Sequence, residues 1–174
     1  MHRSNFRKEN MQMKMAVLYH SVTGHTKKMA EVIAEGMRTV ENAESRAFSI
    51  EEIDEAWLNE SNCVVVGTPI YYASVSGEMK SFLERPCRKY KLAGKIGGAF
   101  ATANYIHGGG ELGVRLILDH LMCHGMLTYS GGVAYGNPVI HLGPVALTNS
   151  LEESVDTFKL YGQRMAAKMI EIYK

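Results

Sequence analysis

The chain has 174 residues, of which 46% are hydrophobic and 21% are charged, and its formal net charge is +1. This length fits one domain, and the charge lacks the strong basic excess that a nucleic-acid-binding protein usually shows. The apolar content excludes a disordered chain, and no run of about 18 apolar residues is present to span a membrane.

The charge is unevenly distributed along the chain. The first 14 residues contain four basic residues and one acidic residue, so the remaining 160 residues carry a net charge of −2. The first segment also lacks the apolar core that a secretory signal needs. We therefore expect a flexible N-terminal segment over residues 1–13 and one folded domain over residues 14–174.

The three cysteines, Cys63, Cys87 and Cys123, are far apart in the sequence. They form no CxxC pair, and the seven histidines show no spacing typical of a metal site, so we expect no bound metal. We expect each cysteine to be a small buried hydrophobic residue. Free thiols of this kind are typical of a cytoplasmic protein.

Short apolar runs alternate with helical patterns along the chain. The run at residues 63–67 is wholly apolar and rich in valine, as expected for a strand that is buried on both faces of a parallel sheet. Ser150 and Glu153 form a capping box that predicts the start of the last helix. In chain order, the predicted elements are a strand at 15–19, a helix after 24, a strand at 46–50, a short helix at 51–58, a strand at 63–67, a helix at 76–85, a strand at 96–103, a helix at 111–123, a strand at 126–131 and a helix from 150.

Strands that alternate with helices predict βαβ units with right-handed crossovers. We therefore expect an α/β fold in which a five-stranded parallel sheet is covered by helices on both faces. In such sheets, ligands bind beyond the carboxyl ends of the strands, where the strand order reverses. The functional site is therefore predicted in the loops that follow residues 20, 68, 103 and 133.

The loop after the first strand has the composition of a phosphate site. Its glycine allows a tight turn at the N-terminus of the next helix, where backbone N–H groups and the helix dipole favour an anion. Ordinary N-capping explains one of its three hydroxyl groups but not all three. No GxxxxGK[ST] lysine is present, so a phosphate monoester fits better than a triphosphate. The loop residues are Ser21, Val22, Thr23, Gly24, His25 and Thr26.

The loop after the third strand contains two adjacent tyrosines, Tyr71 and Tyr72. Aromatic side chains at this edge of the sheet offer flat apolar surfaces for stacking against a conjugated ring. The alternative is that they pack into the core or into a subunit interface. The neighbouring phosphate loop favours the ring-binding interpretation.

The loop at residues 102–110 ends in three glycines, so its backbone could approach a planar ligand and donate N–H groups to ring heteroatoms. Residues 108–113 also match the pattern G-x-G-x-x-G. A dinucleotide-binding fold needs an acidic residue about 20 positions later, and residues 126–134 contain none. We therefore assign the glycines to loop flexibility and reject a Rossmann fold.

Three segments, residues 19–36, 64–85 and 95–126, together resemble the flavodoxin-like FMN proteins. Within that group they are most similar to the WrbA-type NAD(P)H:quinone oxidoreductases and the flavodoxin family proteins close to them. The match runs from about residue 14 to the C-terminus. Unlike WrbA-type proteins, this chain is short between its second and third strands and has no tryptophan before the fourth strand.

The resemblance implies a flavodoxin-like three-layer sandwich with strand order 2-1-3-4-5, FMN as the cofactor, and a homodimer or homotetramer. It places the phosphate at residues 21–26 and the isoalloxazine ring between the next two loops. His124 matches a family histidine near the flavin, although a histidine favoured by the dipole at a helix C-terminus is the alternative. The implied ring-site residues are Pro69, Ile70, Tyr71, Tyr72, Thr102, Ala103, Asn104, Tyr105, His107 and Gly108.

By this resemblance, the expected function is that of an FMN-dependent oxidoreductase that passes electrons from NAD(P)H to a quinone or a similar small acceptor. The cofactor carries that chemistry, and the sequence identifies no catalytic residue. The alternative is a flavodoxin-type electron carrier that docks on protein redox partners. Such carriers usually steer their partners with a strongly acidic surface, which the net charge of −2 does not favour. Nothing in the sequence supports a third alternative, a flavin-binding regulatory module.

Overall fold

Residues 12–174 are described by the structure, a computed structural model of the chain. Residues 1–11 of the predicted N-terminal segment lie outside the described residues, and β1 begins at Met13. A short 3-10 turn at Pro86–Lys89 follows α3. In chain order, the elements are β1 (Met13–Tyr19), α1 (His25–Arg38), β2 (Ala43–Ser49), α2 (Glu55–Glu60), β3 (Cys63–Tyr71), β4 (Ser74–Val75), α3 (Gly77–Glu84), β5 (Ile96–Ala103), α4 (Gly110–Cys123), β6 (Leu127–Thr128), β7 (Val145–Leu147) and α5 (Leu151–Tyr173).

The strands form one sheet in the spatial order β2-β1-β3-β5-β6, and neighbours along this path are parallel. Val17 of β1 is paired with Ala47 of β2 on one side and with Val65 of β3 on the other. This is the predicted order 2-1-3-4-5, so the flavodoxin-like α/β fold is confirmed. The additional strand β4 pairs antiparallel with the end of β3 and was not among the predicted elements.

Helices cover both faces of the sheet, as predicted. Successive side chains of a strand point to opposite faces. In β1, Met15 and Val17 pack with α1 and α5, whereas Ala16 and Leu18 pack with α2, α3 and α4. Because both faces are buried, the central strands are continuous apolar runs rather than alternating ones.

Two glycines allow α1 and α5 to approach each other closely. A β-carbon on Gly36 would lie 2.1 Å from the carbonyl oxygen of Lys159. A β-carbon on Gly162 would lie 2.2 Å from the carbonyl oxygen of Ile33. The helix axes can therefore pack backbone to backbone at this crossing only while both positions lack a side chain.

The fifth position of the sheet is shared by two short strands. β6 pairs with the start of β5 and β7 pairs with its end, so the single predicted strand at residues 126–131 is wrong in its extent. In the part of β5 between these two pairings, the N–H of Ala99 donates instead to the hydroxyl oxygen of Tyr161 in α5, at 3.1 Å. The carboxyl end of the fifth position therefore follows Leu147, and the loop predicted after residue 133 lies elsewhere.

Several local expectations are also corrected. The side chain of Ser150 makes no cap hydrogen bond, so the predicted capping box is wrong, although α5 does begin at the next residue. Cys63 and Cys87 are buried as expected, but Cys123 is exposed on α4. Among residues 12–174, no helix combines the length and the hydropathy that crossing a bilayer requires.

Candidate functional site

The loops that follow β1, β3 and β5 meet at one edge of the sheet because these three strands are adjacent and parallel. This is the edge at which the strand order reverses, as β1 has β2 on one side and β3 on the other. The first loop covers residues 20–24, the second follows Tyr71 and the third covers residues 104–109. Three of the four predicted loops are therefore brought together.

The first loop forms a concave surface at the N-terminus of α1. Gly24 caps the helix with φ +90°, and because it has no side chain it leaves the first-turn N–H groups free for another acceptor. The N–H of Gly24 donates to Ser21 Oγ at 3.1 Å, and Thr23 Oγ1 shares a hydrogen bond with His25 Nδ1 at 3.1 Å. No atom lies within 4 Å of a β-carbon built on Gly24, so the space in front of the helix is open.

The charge of this surface suits an anion. The first turn of α1 contains no acidic residue, so the helix dipole is not opposed there. By contrast, α2 and α3 are closed by their own cap side chains, because Asp54 accepts from the N–H of Trp57 and Ser76 accepts from the N–H of Met79. The open N-terminus of α1 can therefore hold a phosphate group through backbone N–H groups and hydroxyls.

Thr26 connects the first loop to the third. Its buried hydroxyl shares a 2.8 Å hydrogen bond with the hydroxyl of Thr102, at the end of β5. Thr102 faces α1, and its side chain is not part of the surface between the second and third loops. Both threonines therefore position the loops and do not present free hydroxyls to a ligand.

A cleft of about 590 Å³ lies between the second and third loops, within the usual size range of small-molecule sites. Aromatic and small residues dominate its walls. Among the described residues, those that line it include no acidic side chain. Eight of the residues predicted for the ring site line this cleft: Ile70, Tyr71, Tyr72, Ala103, Asn104, Tyr105, His107 and Gly108.

Tyr72 lies at the tip of a strained turn between β3 and β4. Tyr72 and Ala73 have φ values of 49° and 59°, as in a type I′ hairpin turn, where asparagine and glycine are the preferred residues. The side chain of Tyr72 is fully exposed. Backbone strain of this kind is found mainly at functional sites, and here it occurs at an exposed aromatic residue that lines the cleft.

Pro69 and His124 are two predicted site residues that do not line this cleft. His124 caps the C-terminus of α4, where its Nε2 bonds the carbonyl oxygen of Leu83 at 2.9 Å. Helices in βαβ units run antiparallel to the strands, so their C-termini lie at the opposite edge of the sheet. Within one chain, the expectation that His124 stands near the flavin is therefore wrong, and the helix C-terminal alternative describes its position.

The sequence reasoning missed two residues of this region. Ala73 lines the cleft because it lies in the strained turn. The local sequence does not predict this turn, since it contains neither asparagine nor glycine at these two positions. Thr148, after β7, donates from Oγ1 to Asn104 Oδ1 at 2.8 Å and so supports the third loop. Its position depends on the pairing of β7 with β5, which is a tertiary property.

Within the described residues, no group of three or more histidine, cysteine, aspartate or glutamate side chains is arranged to hold a metal ion. The geometry instead offers two adjoining surfaces of different chemistry. One is an amide- and hydroxyl-rich concavity for an anion, and the other is an aromatic cleft without carboxylates for a planar ring. A ligand that carries a phosphate monoester and a conjugated ring fits both.

Comparison with known proteins agrees with this geometry. The sequence pattern of the Flavodoxin domain family matches residues 16–105. The chain is 41% identical over 161 residues to a flavodoxin from Clostridium saccharobutylicum, which covers 92% of this chain and 100% of that protein. It is 30% identical over 151 residues to an NAD(P)H dehydrogenase (quinone) from Chromohalobacter salexigens, covering 73% of this chain and 74% of that protein. The solved structure of a flavodoxin, WrbA-like protein from Agrobacterium tumefaciens has a TM-score of 0.73 at 25% identity, covering 91% of this chain and 98% of that one.

Proposed function

The chain belongs to the flavodoxin family, whose cofactor is FMN, and we propose that it is an oxidoreductase that passes electrons from NAD(P)H through FMN to a quinone or a similar small acceptor. Bound FMN supplies the hydride and electron chemistry in such a protein. The chain itself would bind the cofactor and orient its ring toward the acceptor. No side chain needs to act as an acid or a base.

The residues present fit the cofactor. The open N-terminus of α1, with Ser21 and Thr23 beside it, would hold the phosphate, because it offers N–H groups and hydroxyls without an opposing carboxylate. The aromatic cleft between the second and third loops would hold the isoalloxazine ring, with Tyr71 and Tyr105 as candidate stacking partners.

The observation that favours an enzyme over a carrier is the open cleft between the second and third loops, whose described lining carries no carboxylate. Its lining includes no acidic side chain among the described residues, and its mouth is formed by Tyr72 and Tyr105. A planar, uncharged acceptor can enter such a site at little cost, because no carboxylate of the lining has to lose its hydration when the acceptor binds. The relatives named NAD(P)H dehydrogenase (quinone) support the same activity for this chain.

A second candidate is a flavodoxin-type electron carrier, and a specific observation favours it as well. The relative from Clostridium saccharobutylicum, at 41% identity, is named flavodoxin, and this chain spans its whole length. Exposed apolar side chains at the cleft, namely those of Tyr72, Tyr105 and Ile106, could equally contact a protein partner.

The three free cysteines favour a cytoplasmic location for either function. A homodimer or homotetramer stays a prediction from the resemblance.

The enzyme and the electron carrier differ in how fast they oxidise NAD(P)H when a small-molecule acceptor is present. The purified protein is reconstituted with FMN, and oxidation of NADH and of NADPH is followed with and without benzoquinone. Rapid turnover that depends on benzoquinone supports the enzyme. A yellow protein that accepts electrons only from a protein reductase supports the carrier, and a protein that cannot be reconstituted with FMN contradicts both.

Two variants at Tyr72 sharpen this test. Tyr72→Phe retains the aromatic ring and Tyr72→Ala removes it, while the exposed position makes both substitutions harmless to the core. If the cleft accepts a planar molecule, Tyr72→Ala raises the KM for benzoquinone and Tyr72→Phe does not. Equal KM values for the two variants and the wild type would contradict a role for this ring in acceptor binding.

A further inference from the structure

The outward face of α4 carries a symmetric pattern of side chains. Its inward face, which includes Ile117 and Leu121, is buried in the core between the helices and the sheet. Positions separated by three, four and three residues lie on one face of a helix. The residues at this spacing on the outward side, all accessible to solvent, form the α4 stripe: Leu112, Arg115, Asp119 and Met122.

The α4 stripe has apolar ends and a charged middle. Leu112 and Met122 are 63% and 48% exposed, although both are residue types that are usually buried. Between them, Arg115 Nε donates to Asp119 Oδ1 at 2.8 Å. Among the described residues, no other hydrogen bond or ion pair involves either of these two charged side chains. The Nη groups of Arg115 are therefore free to bind a second carboxylate.

The order of the α4 stripe is complementary to itself in an antiparallel pairing. A two-fold axis perpendicular to α4 at the level of Ile117 brings Leu112 of each copy to Met122 of the other. The same axis brings Arg115 of each copy to Asp119 of the other. In a parallel pairing, Arg115 would face Arg115 and Asp119 would face Asp119, which is repulsive. The charges therefore select the antiparallel arrangement.

The outward stripe of α1, a helix of the same length, has a different character. All of its members are charged, and an antiparallel pairing of two copies would bring like charges together near its centre and at its ends. These residues are Lys27, Glu31, Glu35 and Arg38. The outward face of α4 therefore differs from a helix face that is suited only to contact with water.

We propose that the α4 stripe is the contact surface of a homodimer, in which the α4 helices of two copies pack antiparallel about a two-fold axis. Two exposed apolar side chains alone are ordinary on a protein surface, but here they flank charged groups that match those of a second copy. Because α4 runs antiparallel to the strands, the carboxyl edges of the two sheets, with their clefts, face in opposite directions. This inference goes beyond the proposed function, because an enzyme and a carrier could both form such a dimer.

Charge reversal tests the pairing. Sedimentation velocity of the full chain over a range of concentrations should show a monomer–dimer equilibrium for the wild type. In Arg115→Asp and in Asp119→Arg, like charges face each other at two contacts across the axis. We expect each reversal to raise the dissociation constant of the dimer at least about tenfold. An equimolar mixture of the two variants places opposite charges at both contacts, so it should restore a dimer.

Matched controls separate this contact from general effects of the substitutions. Lys80→Glu reverses one member of another i,i+4 ion pair, that of Lys80 and Glu84 on α3, and should dimerise as the wild type does. Leu112→Ser should weaken the dimer, whereas Ile172→Ser, at an exposed apolar position on α5, should not. Circular dichroism of each variant shows whether it folds.

The outcomes are distinct from those of the proposed function. A wild type that stays monomeric at every concentration overturns the inference, and so do reversal variants that dimerise as tightly as the wild type. A mixture of the two folded reversal variants that stays monomeric overturns it as well. Where a reversal variant does not fold, Leu112→Ser decides, because a dissociation constant equal to that of the wild type contradicts the contact. A chain that dimerises through α4 but binds no FMN contradicts the proposed function and leaves this inference intact.

Discussion

Gly109 lies directly against Ala73, so that a β-carbon on Gly109 would be 2.7 Å from the Cα of Ala73. Gly109 is also the N-cap of α4 and has φ +89°. This contact joins the third loop to the strained turn of the second loop, and these two loops form the walls of the cleft. The width of the ring site is therefore set by a position at which only glycine fits.

The variant Gly109→Ala should weaken FMN binding and lower stability. Alanine at this φ costs about 1–2 kcal/mol in backbone strain, and its methyl group also forces the two loops apart. Gly94→Ala is the matched control, because Gly94 has φ +81° but no atom within 4 Å of its β-carbon position. Thermal unfolding and FMN titration measure both effects. We expect Gly94→Ala to lose stability only, and an unchanged FMN affinity in Gly109→Ala would contradict the contact.

The central strand β3 could be predicted from its own sequence, whereas the sheet order was implied by the resemblance to the flavodoxin-like proteins. The run Cys63–Val66 is entirely buried, as expected for a strand that is covered on both faces by helices. β7 could not be predicted in the same way. Val145–Leu147 is three residues long and follows a proline, and only its pairing with the end of β5 makes it a strand.

The positions of the site loops could be predicted from the topology, whereas the contacts of individual side chains could not. His124 and Tyr105 both stand in segments that resemble the family, yet the two lie at opposite ends of α4. The hydrogen bond between Thr102 and Thr26 could not be predicted either, because it depends on how α1 packs on the sheet. Sequence patterns place a residue on an element, but the packing of that element decides what its side chain contacts.

The phosphate assignment predicts a specific effect of Thr23→Asp. A carboxylate about 5 Å from a phosphate group costs about 3 kcal/mol per unit of phosphate charge at an effective dielectric constant of about 20, so FMN binding should weaken at least about 100-fold. The apoprotein should not be destabilised, because an acidic residue near the start of α1 is favourable to the helix dipole. Thr23→Asn is the neutral isostere and should bind FMN far more tightly than Thr23→Asp. Equal FMN affinities of the two variants would exclude a phosphate at this loop.

The crossing of α1 and α5 predicts a stability effect that leaves the site untouched. In Gly162→Ala the new methyl group meets the backbone oxygen of Ile33, which cannot move without shifting the helix. We expect a loss of about 1–3 kcal/mol in the free energy of unfolding, although alanine normally favours a helix interior over glycine by about 1 kcal/mol. Gly77→Ala is the control, since its β-carbon position is open. Urea unfolding of the apoproteins measures both variants, and a Gly162→Ala variant as stable as the wild type would show that the helices do not cross as described.

Lys95 predicts how stability depends on pH. Its Nζ is buried and donates to the carbonyl oxygens of Leu58 at 2.6 Å and Asn59 at 2.8 Å. Burial, followed by repulsion from Lys91, lowers the pKa of Lys95 from 10.5 to about 8. Between these two values the unfolded chain keeps a proton that the folded chain has released, so this group adds stability as the pH rises. The contribution is complete above the unfolded pKa and is lost as the pH falls through the folded pKa.

Thermal unfolding of the apoprotein at pH 7.5 and 9.5 measures this contribution by comparison with Lys95→Met. The uncharged side chain cannot titrate, so the unfolding temperature of the wild type should rise between these two pH values relative to that of Lys95→Met. Other groups titrate equally in both proteins and cancel in the difference. Lys27→Met, which removes an exposed lysine, should follow the wild type at both pH values. Parallel pH profiles for the wild type and Lys95→Met would mean that the Lys95 ammonium is not desolvated in the folded state.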